Sequence, residues 1–335
     1  MTLTRDPLSN EVDPLGVADF ADLPSAPDAG GPETQTRRPL PGRRTLFVGA
    51  LFVILVFLVA VGAVVYGIGS LVHARDQRAL MATERSNIAE AAVEAKALDH
   101  VNLPTEPPLL GAPVGVLAIP ALGINQAVVE GVGSSQTVSG PGHVPGTAGL
   151  GQPGNAAVVG RNAAYGGPFG SLDQLKPGDQ VLTATIEGQS IYVVRHVARL
   201  TLGSSAARTG VTSSVALSTL YRPTNDNRLT LVTSASVAHW NTRQVVEVTA
   251  MLKGKPYVAT PQGARSTSQQ GNTGEGGAWA ELLLSLQALI VVAVGGLFLY
   301  SRCTIRSAYL LTTAPLIACT VLAAEAISRL LPAWM

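Results

Sequence analysis

The chain has 335 residues, of which 47% are hydrophobic and only 13% are charged. This composition is more apolar than that of an ordinary soluble enzyme, so a membrane protein is the first expectation. The formal net charge is +1, and no cluster of Lys and Arg lies among aromatic residues. These features exclude the basic surface that a nucleic-acid-binding protein uses, so no nucleic-acid partner is expected.

The N-terminal third predicts a tail, a membrane span and a stalk. Residues 1–44 are rich in Pro, Asp, Gly and Ser, and they predict a disordered segment because few large apolar groups offset the entropy of ordering. Residues 46–68 carry no charge and are long enough to cross a bilayer. A cleaved signal peptide is the competing reading, but the apolar run is too long and starts too late. Residues 71–100 contain neither Gly nor Pro, so they predict a helical continuation of this span.

The central segment, residues 111–256, predicts a β domain. Short runs of β-type residues alternate with Gly and Pro, and seven or eight strands at this spacing favour a closed barrel over alternating β and α units. In the run RQVVEVTAML, Val246, Val248, Ala250 and Leu252 share one face, as in a strand with one face in the core.

Two further apolar runs, residues 282–300 and 308–327, predict a membrane hairpin. Buried helices of a soluble core are the alternative, which suits a tandem pair of this length poorly. Basic residues near the spans predict which sides are cytoplasmic: Arg37, Arg38, Arg43, Arg44, Arg302 and Arg306. The β domain and the last residues would then lie outside the cell membrane.

The predicted organisation has nine parts. They are a disordered cytoplasmic tail at 1–44, a first transmembrane helix at 45–70, a helical stalk and Pro-rich linker at 71–110, the β domain at 111–256, a flexible linker at 257–280, a second transmembrane helix at 281–300, a cytoplasmic loop at 301–307, a third transmembrane helix at 308–327 and an extracytoplasmic tail at 328–335.

Several motifs in the β domain resemble one family when taken in order. GVLAIPALGINQAVVEGV is followed by GPGHVPGT, GQPGNAAVVG, YGGPFGSLDQLKPGD and LTLVTS, and then by a strand that opens near Arg243. This order resembles the sortases of Gram-positive bacteria, and most of all the actinobacterial class E group. The resemblance implies a mainly β fold, an eight-stranded sortase barrel displayed outside the membrane.

The resemblance also assigns three site positions. Sortases use a catalytic Cys, His and Arg, and the matching positions here hold Ser234, Arg161 and Arg243. A serine hydroxyl needs an adjacent base before it can attack, whereas a thiol supplies some thiolate unaided. An arginine cannot serve as that base near neutral pH. Both cysteines, Cys303 and Cys319, lie in or beside the C-terminal apolar runs, so the β domain holds no substitute thiol.

Two functions therefore remain open. In the first, a degenerate sortase binds an envelope protein or a cell-wall peptide without turnover, and Arg161 and Arg243 supply positive charge to the ligand site. In the second, Ser234 acts as a serine nucleophile with His239, five residues later, as a rescue base and with Arg243. Neither reading requires a metal or a cofactor, since no histidine pair has the spacing of a metal site.

Overall fold

The computed structural model describes residues 55, 57–98, 100–203, 214–236, 243–264, 269–302 and 305–335. The predicted tail at 1–44, His239 and Cys303 lie outside these residues.

A single long helix, α1 (Phe57–Leu98), contains the later part of the first predicted span and most of the predicted stalk. Residues Ala63–Ile68 form a π-helical turn within it. The polar half of α1 lies against the β domain: Gln77 donates from Nε2 to the carbonyl oxygens of Ala127 at 3.1 Å and Ser139 at 2.7 Å. Its Oε1 accepts the N–H of Ala127 at 2.8 Å. The stalk therefore packs along the domain as well as connecting it to the span.

The β domain is a barrel with short helices in its connections. Its strands are β1 (Pro113–Ile119), β2 (Ile124–Glu130), β3 (Gly142–His143), β4 (Asn155–Val159), β5 (Gln180–Thr185), β6 (Gly188–Leu202), β7 (Ser214–Val215), β8 (Arg228–Ser234) and β9 (Gln244–Lys253), and its helices are α2 (Ser134–Ser139) and α3 (Leu217–Leu220). The strand order is β5-β1-β2-β3-β4-β8-β9-β6, and β6 pairs with β5 to close the ring, while β7 adds only to β6. The predicted closed eight-stranded barrel is confirmed.

Two apolar clusters lie on opposite faces of the central strands. Inside the barrel, alternate residues of each strand form the main core, for example Val158, Leu231 and Val248, all fully buried. The predicted inner face of β9 is confirmed, since Val246, Val248 and Ala250 belong to this core. Val245 points the other way and is also fully buried, because a second cluster covers the outer face of β4, β8 and β9.

Two helices follow the barrel, α4 (Ala278–Arg302) and α5 (Ile305–Leu330). Together with α1 they are the helices of the described chain that are long and apolar enough to cross a membrane. Leu282 of α4 packs against Ala323 and Ala326 of α5. The linker before α4 was predicted to be flexible. Its described residues contact the rest of the chain: Gln269 Oε1 accepts the N–H of Val132 at 2.7 Å.

Candidate functional site

Strands β4 and β8 bring two of the three predicted site positions together. The strands pair in parallel, with Val159 opposite Val232, and the N–H of Gly160 donates to the Val232 carbonyl at 3.1 Å. Arg161 and Ser234 therefore follow side by side at the same barrel end. Both strands are buried on two faces, β4 along its whole length and β8 at every residue after Arg228.

The Ser234 hydroxyl is engaged in a local turn. Its Oγ donates to the Ser236 carbonyl at 2.8 Å and accepts the Ser236 N–H at 3.2 Å. In such a serine turn, the hydroxyl group makes its hydrogen bonds with the backbone of its own loop. The Ser234 carbonyl accepts a hydrogen bond from Asn162 Nδ2 at 2.7 Å, and Ser234 is fully buried.

The Arg161 guanidinium is buried, and only one of its three nitrogen atoms has a hydrogen-bond partner among the described residues. Nη2 donates to the Ser134 carbonyl at 2.8 Å, and Cζ lies 5.1 Å from the centre of the Tyr165 ring. Nε and Nη1 are buried with no hydrogen-bond partner among the described residues. Burial lowers the pKa of Arg161 to about 10, although the charges of Tyr165 and Glu275 act to raise it. The side chain is therefore a cation at neutral pH and cannot accept a proton there.

Arg243 lies at the same barrel end, directly before β9, with its side chain exposed. Its carbonyl accepts the N–H of Leu202 at 2.7 Å, and the next residue, Gln244, accepts the N–H of Ala235 at 2.8 Å. The backbone thus places Arg243 close to the loop that follows Ser234. The predicted rescue base, His239, belongs to that loop and lies outside the described residues.

Residues 331–335 (Leu-Pro-Ala-Trp-Met) lie against Ser234 and the residues after Arg161, a contact that was not predicted from the sequence. The Trp334 carbonyl accepts the N–H groups of Asn162 at 3.0 Å and of Ser234 at 3.3 Å. The Met335 carbonyl accepts the N–H groups of Ala163 at 3.3 Å and Ala164 at 3.1 Å. A signal for this segment was present, since apolar residues on both faces of β4 and β8 require a cover on the outer face.

A second buried polar group lies at another part of the barrel. His143 Nδ1 is 2.7 Å from Glu130 Oε2, and His143 Nε2 is 2.8 Å from the Ala148 carbonyl oxygen. Because a carbonyl only accepts, Nε2 carries a hydrogen, and the Nδ1–Oε2 contact needs a second proton between ring and carboxylate. The pair lines a cavity of about 310 Å³ that Glu84 and Glu187 also line. His143 therefore ties β3 to β2.

The described residues contain no group of three His, Cys, Asp or Glu side chains arranged to hold a metal ion.

Comparison with known proteins identifies the family. Residues 117–251 match the family model described as the sortase domain. Sortase E from Streptomyces avermitilis is 30% identical, and the match covers 44% of this chain and 93% of that one, with a TM-score of 0.34. A sortase transpeptidase from Clostridium perfringens is 17% identical over 54% of this chain and 99% of that one, with a TM-score of 0.42. None of the curated proteins matches the chain. Residues 117–251 of the chain are therefore a sortase domain.

Proposed function

We propose that this chain is a membrane-anchored sortase-fold protein without transpeptidase activity. It acts as a binding or assembly module in the cell envelope of a Gram-positive, actinobacterial cell, and it is a degenerate relative of the class E sortases. The 30% identity to the Streptomyces avermitilis sortase E supports the class and the type of organism. Sortases are normally cysteine transpeptidases. The absence of this activity must therefore follow from the residues at the site.

The observation that carries the proposal is that Ser234 and Arg161 follow two paired strands, β8 and β4, at the same barrel end. The Ser234 hydroxyl is held in a turn with Ser236, and the neighbouring position that would hold a base carries a buried, protonated guanidinium. A serine without an adjacent base is a weak nucleophile. The site therefore has the same location in the fold as a sortase active site, but the position that would hold the base carries the cation of Arg161 instead.

The buried guanidinium supports a binding role for the same site. Two of its donor atoms, Nε and Nη1, have no hydrogen-bond partner in the described structure. Guanidinium donors bind carboxylates strongly when the charge is shielded from water. Arg161, with Arg243 at the same barrel end, would bind an anionic group of an envelope protein or a cell-wall peptide.

The contacts of the helices support a cytoplasmic N-terminus and an extracytoplasmic barrel. Val61 and Val65 of α1 pack with Ala164 and Tyr165 of the barrel and with Ala324 of α5. The Glu275 N–H, just before α4, donates to the Arg329 carbonyl at 2.8 Å. The barrel is thus joined to one end of α4 and α5, whereas Arg302 and Arg306 lie at the other end, which the positive-inside rule assigns to the cytoplasm. In the sequence, the basic residues at 37–44 precede the first predicted span, which assigns that side to the cytoplasm by the same rule.

An acylation assay tests the absence of catalysis. The full chain in detergent is incubated with a serine-directed acylating probe and with sorting-type peptides, and adducts are measured by intact mass. We expect no adduct and no difference between the natural chain and Ser234→Ala. Labelling that disappears in Ser234→Ala would instead favour the serine-type acyltransferase or hydrolase, and loss of the same labelling in His239→Ala would identify the base.

A binding assay tests the role of the two arginines. Envelope extract and cell-wall peptide fragments are captured on the immobilised full chain, and Arg161→Gln and Arg243→Gln should each reduce recovery of the bound species. Arg199→Gln is the matched control, since this exposed arginine pairs with Asp173 on the barrel surface. Equal recovery by the natural chain and both site variants would reject this site as the ligand site.

A further inference from the structure

We infer that residues 331–335 are an internal ligand of the sortase-type site. This segment, called here the internal peptide, lies in the same chain against Ser234 and residues 162–164, where β8 and β4 end, and the surface that it covers is called here the groove. An external peptide must displace it to reach Arg161 and Ser234. The inference deepens the proposed function by naming the present occupant of the groove, and its readouts do not depend on acyl transfer.

The backbone of the internal peptide is held by the residues of the site itself. Two N–H groups converge on the Trp334 carbonyl, one from Ser234 and one from Asn162. Upstream, Ser134 Oγ donates to the Leu331 carbonyl at 2.5 Å. Ser134 also accepts the hydrogen bond from Arg161 Nη2. The peptide is thus bound through both predicted site positions, directly at Ser234 and through Ser134 at Arg161.

The side chain of Trp334 anchors the internal peptide. It is fully buried, and it packs in the outer cluster with Val159 of β4, Val232 of β8 and Tyr221. The indole Nε1 has no hydrogen-bond partner in the described structure, so the indole is held by apolar contact. The groove therefore selects a large apolar side chain at this point, and the class of ligand it takes is an apolar peptide with an aromatic anchor.

Residues 269–275, called here the strap, pass over the side chain of Trp334. A Cβ built on Gly271 would lie 3.2 Å from Cε3 of Trp334, so the backbone of the strap passes close to the indole. The Gln270 carbonyl accepts a hydrogen bond from the Tyr221 hydroxyl at 3.0 Å, and Glu275 Oε1 accepts the N–H of Ser135 at 2.9 Å. Because the strap leads into α4 and the internal peptide follows α5, the membrane hairpin supplies both the ligand and its cover.

A thiol-accessibility assay on the full chain tests the inference. Cys303→Ala and Cys319→Ala remove the natural thiols, Ser234→Cys adds a reporter, and labelling by a maleimide is followed in detergent. The buried reporter should react slowly, and Trp334→Ala or deletion of residues 331–335 should accelerate it about 100-fold or more, as expected for loss of a buried tryptophan. Trp279→Ala is the matched control because Trp279 is 59% exposed. Ser218→Cys, at an exposed position, should label at one rate in all variants.

Adding the internal peptide back as a separate molecule distinguishes exposure of the reporter at residue 234 from misfolding of the variant. The synthetic peptide Leu-Pro-Ala-Trp-Met should slow labelling in the deletion variant, whereas a peptide with Ala in place of Trp should not. The inference would be overturned if the reporter were labelled at the same rate in the full chain and in the deletion variant. It would also be overturned if both peptides slowed labelling equally.

A disulfide trap tests the same contact in an intact fold. In the background without Cys303 and Cys319, Ala163→Cys with Met335→Cys should cross-link under mild oxidation, since the backbones of these residues are hydrogen-bonded. The product should run as a monomer. A cross-linked dimer would show that a second copy supplies the peptide, and absence of any cross-link would contradict occupancy of the groove.

Discussion

Replacing Arg161 with methionine tests how much the buried charge of the guanidinium costs or contributes in the free energy of unfolding. A pKa lowered from 12.5 to about 10 corresponds to a cost of about 3 kcal/mol for holding the charged form, at about 1.4 kcal/mol per tenfold change. Methionine removes this cost and keeps a long apolar side chain in the same space. The fold is not expected to depend on the charge.

Two contacts are lost in the Arg161→Met variant. The hydrogen bond to the Ser134 carbonyl contributes about 1.5–3 kcal/mol because its donor is charged, and the contact with the Tyr165 ring contributes about 0.5–2 kcal/mol. The Ser134 carbonyl keeps its contact with the Thr137 hydroxyl at 3.4 Å. We therefore expect the free energy of unfolding of Arg161→Met to lie within about 2 kcal/mol of the natural chain, the usual result when a buried charge is replaced by an apolar residue of similar size.

Urea titration of the detergent-solubilised chain, followed by circular dichroism, measures this difference. The difference should stay constant between pH 6 and pH 9, because the folded and unfolded states both hold a protonated guanidinium there. It should change only above a pH of about 10, where the folded state releases its proton first and the natural chain gains stability relative to the variant. A loss of more than about 4 kcal/mol in Arg161→Met would refute the reasoning, since it would require that the charge stabilise the fold.

Two further predictions concern the cavity beside α1. Removal of either member of the buried Glu130–His143 pair should destabilise the fold by about 3–5 kcal/mol, because it leaves the other group buried and unpaired. The double variant Glu130→Ala/His143→Ala should lose less than the sum of the two single variants in the same urea titration, and strict additivity would show that the two groups do not interact. Burial raises the pKa of Glu84, so its folded state binds a proton at pH values where the unfolded state does not, and stability falls as pH rises through that range. Glu84→Gln should therefore be more stable than the natural chain near pH 7, and the gain should shrink toward pH 4, whereas a gain that grows as pH falls would contradict the assignment. Glu90→Gln, on the exposed side of the same helix, should show neither effect.

The barrel followed from the sequence because its strands obey local rules. In β9, alternate residues are apolar, so the face that Val246, Val248 and Ala250 share was predictable and is buried as expected. Three helices long and apolar enough to cross a membrane were predictable for a similar reason, since an uncharged run of bilayer length has few other stable environments. The order of motifs also predicts that Ser234, Arg161 and Arg243 hold three positions of one site, and the structure places all three at the same barrel end.

The sequence by itself determined the barrel and the three long apolar helices, because strand alternation and the length of an apolar run are properties of neighbouring residues. Only the tertiary structure decided what fills the site. Leu331 and Trp334 are distant in sequence from Ser134 and Ser234, and no local pattern links them. Their contact exists because α5 returns the chain to the barrel. There the apolar side chains of residues 331–335 bury the apolar outer face of β4 and β8, which stabilises the fold. The burial of Arg161 is decided in the same way, by Tyr165, Ser134 and the residues that close over them.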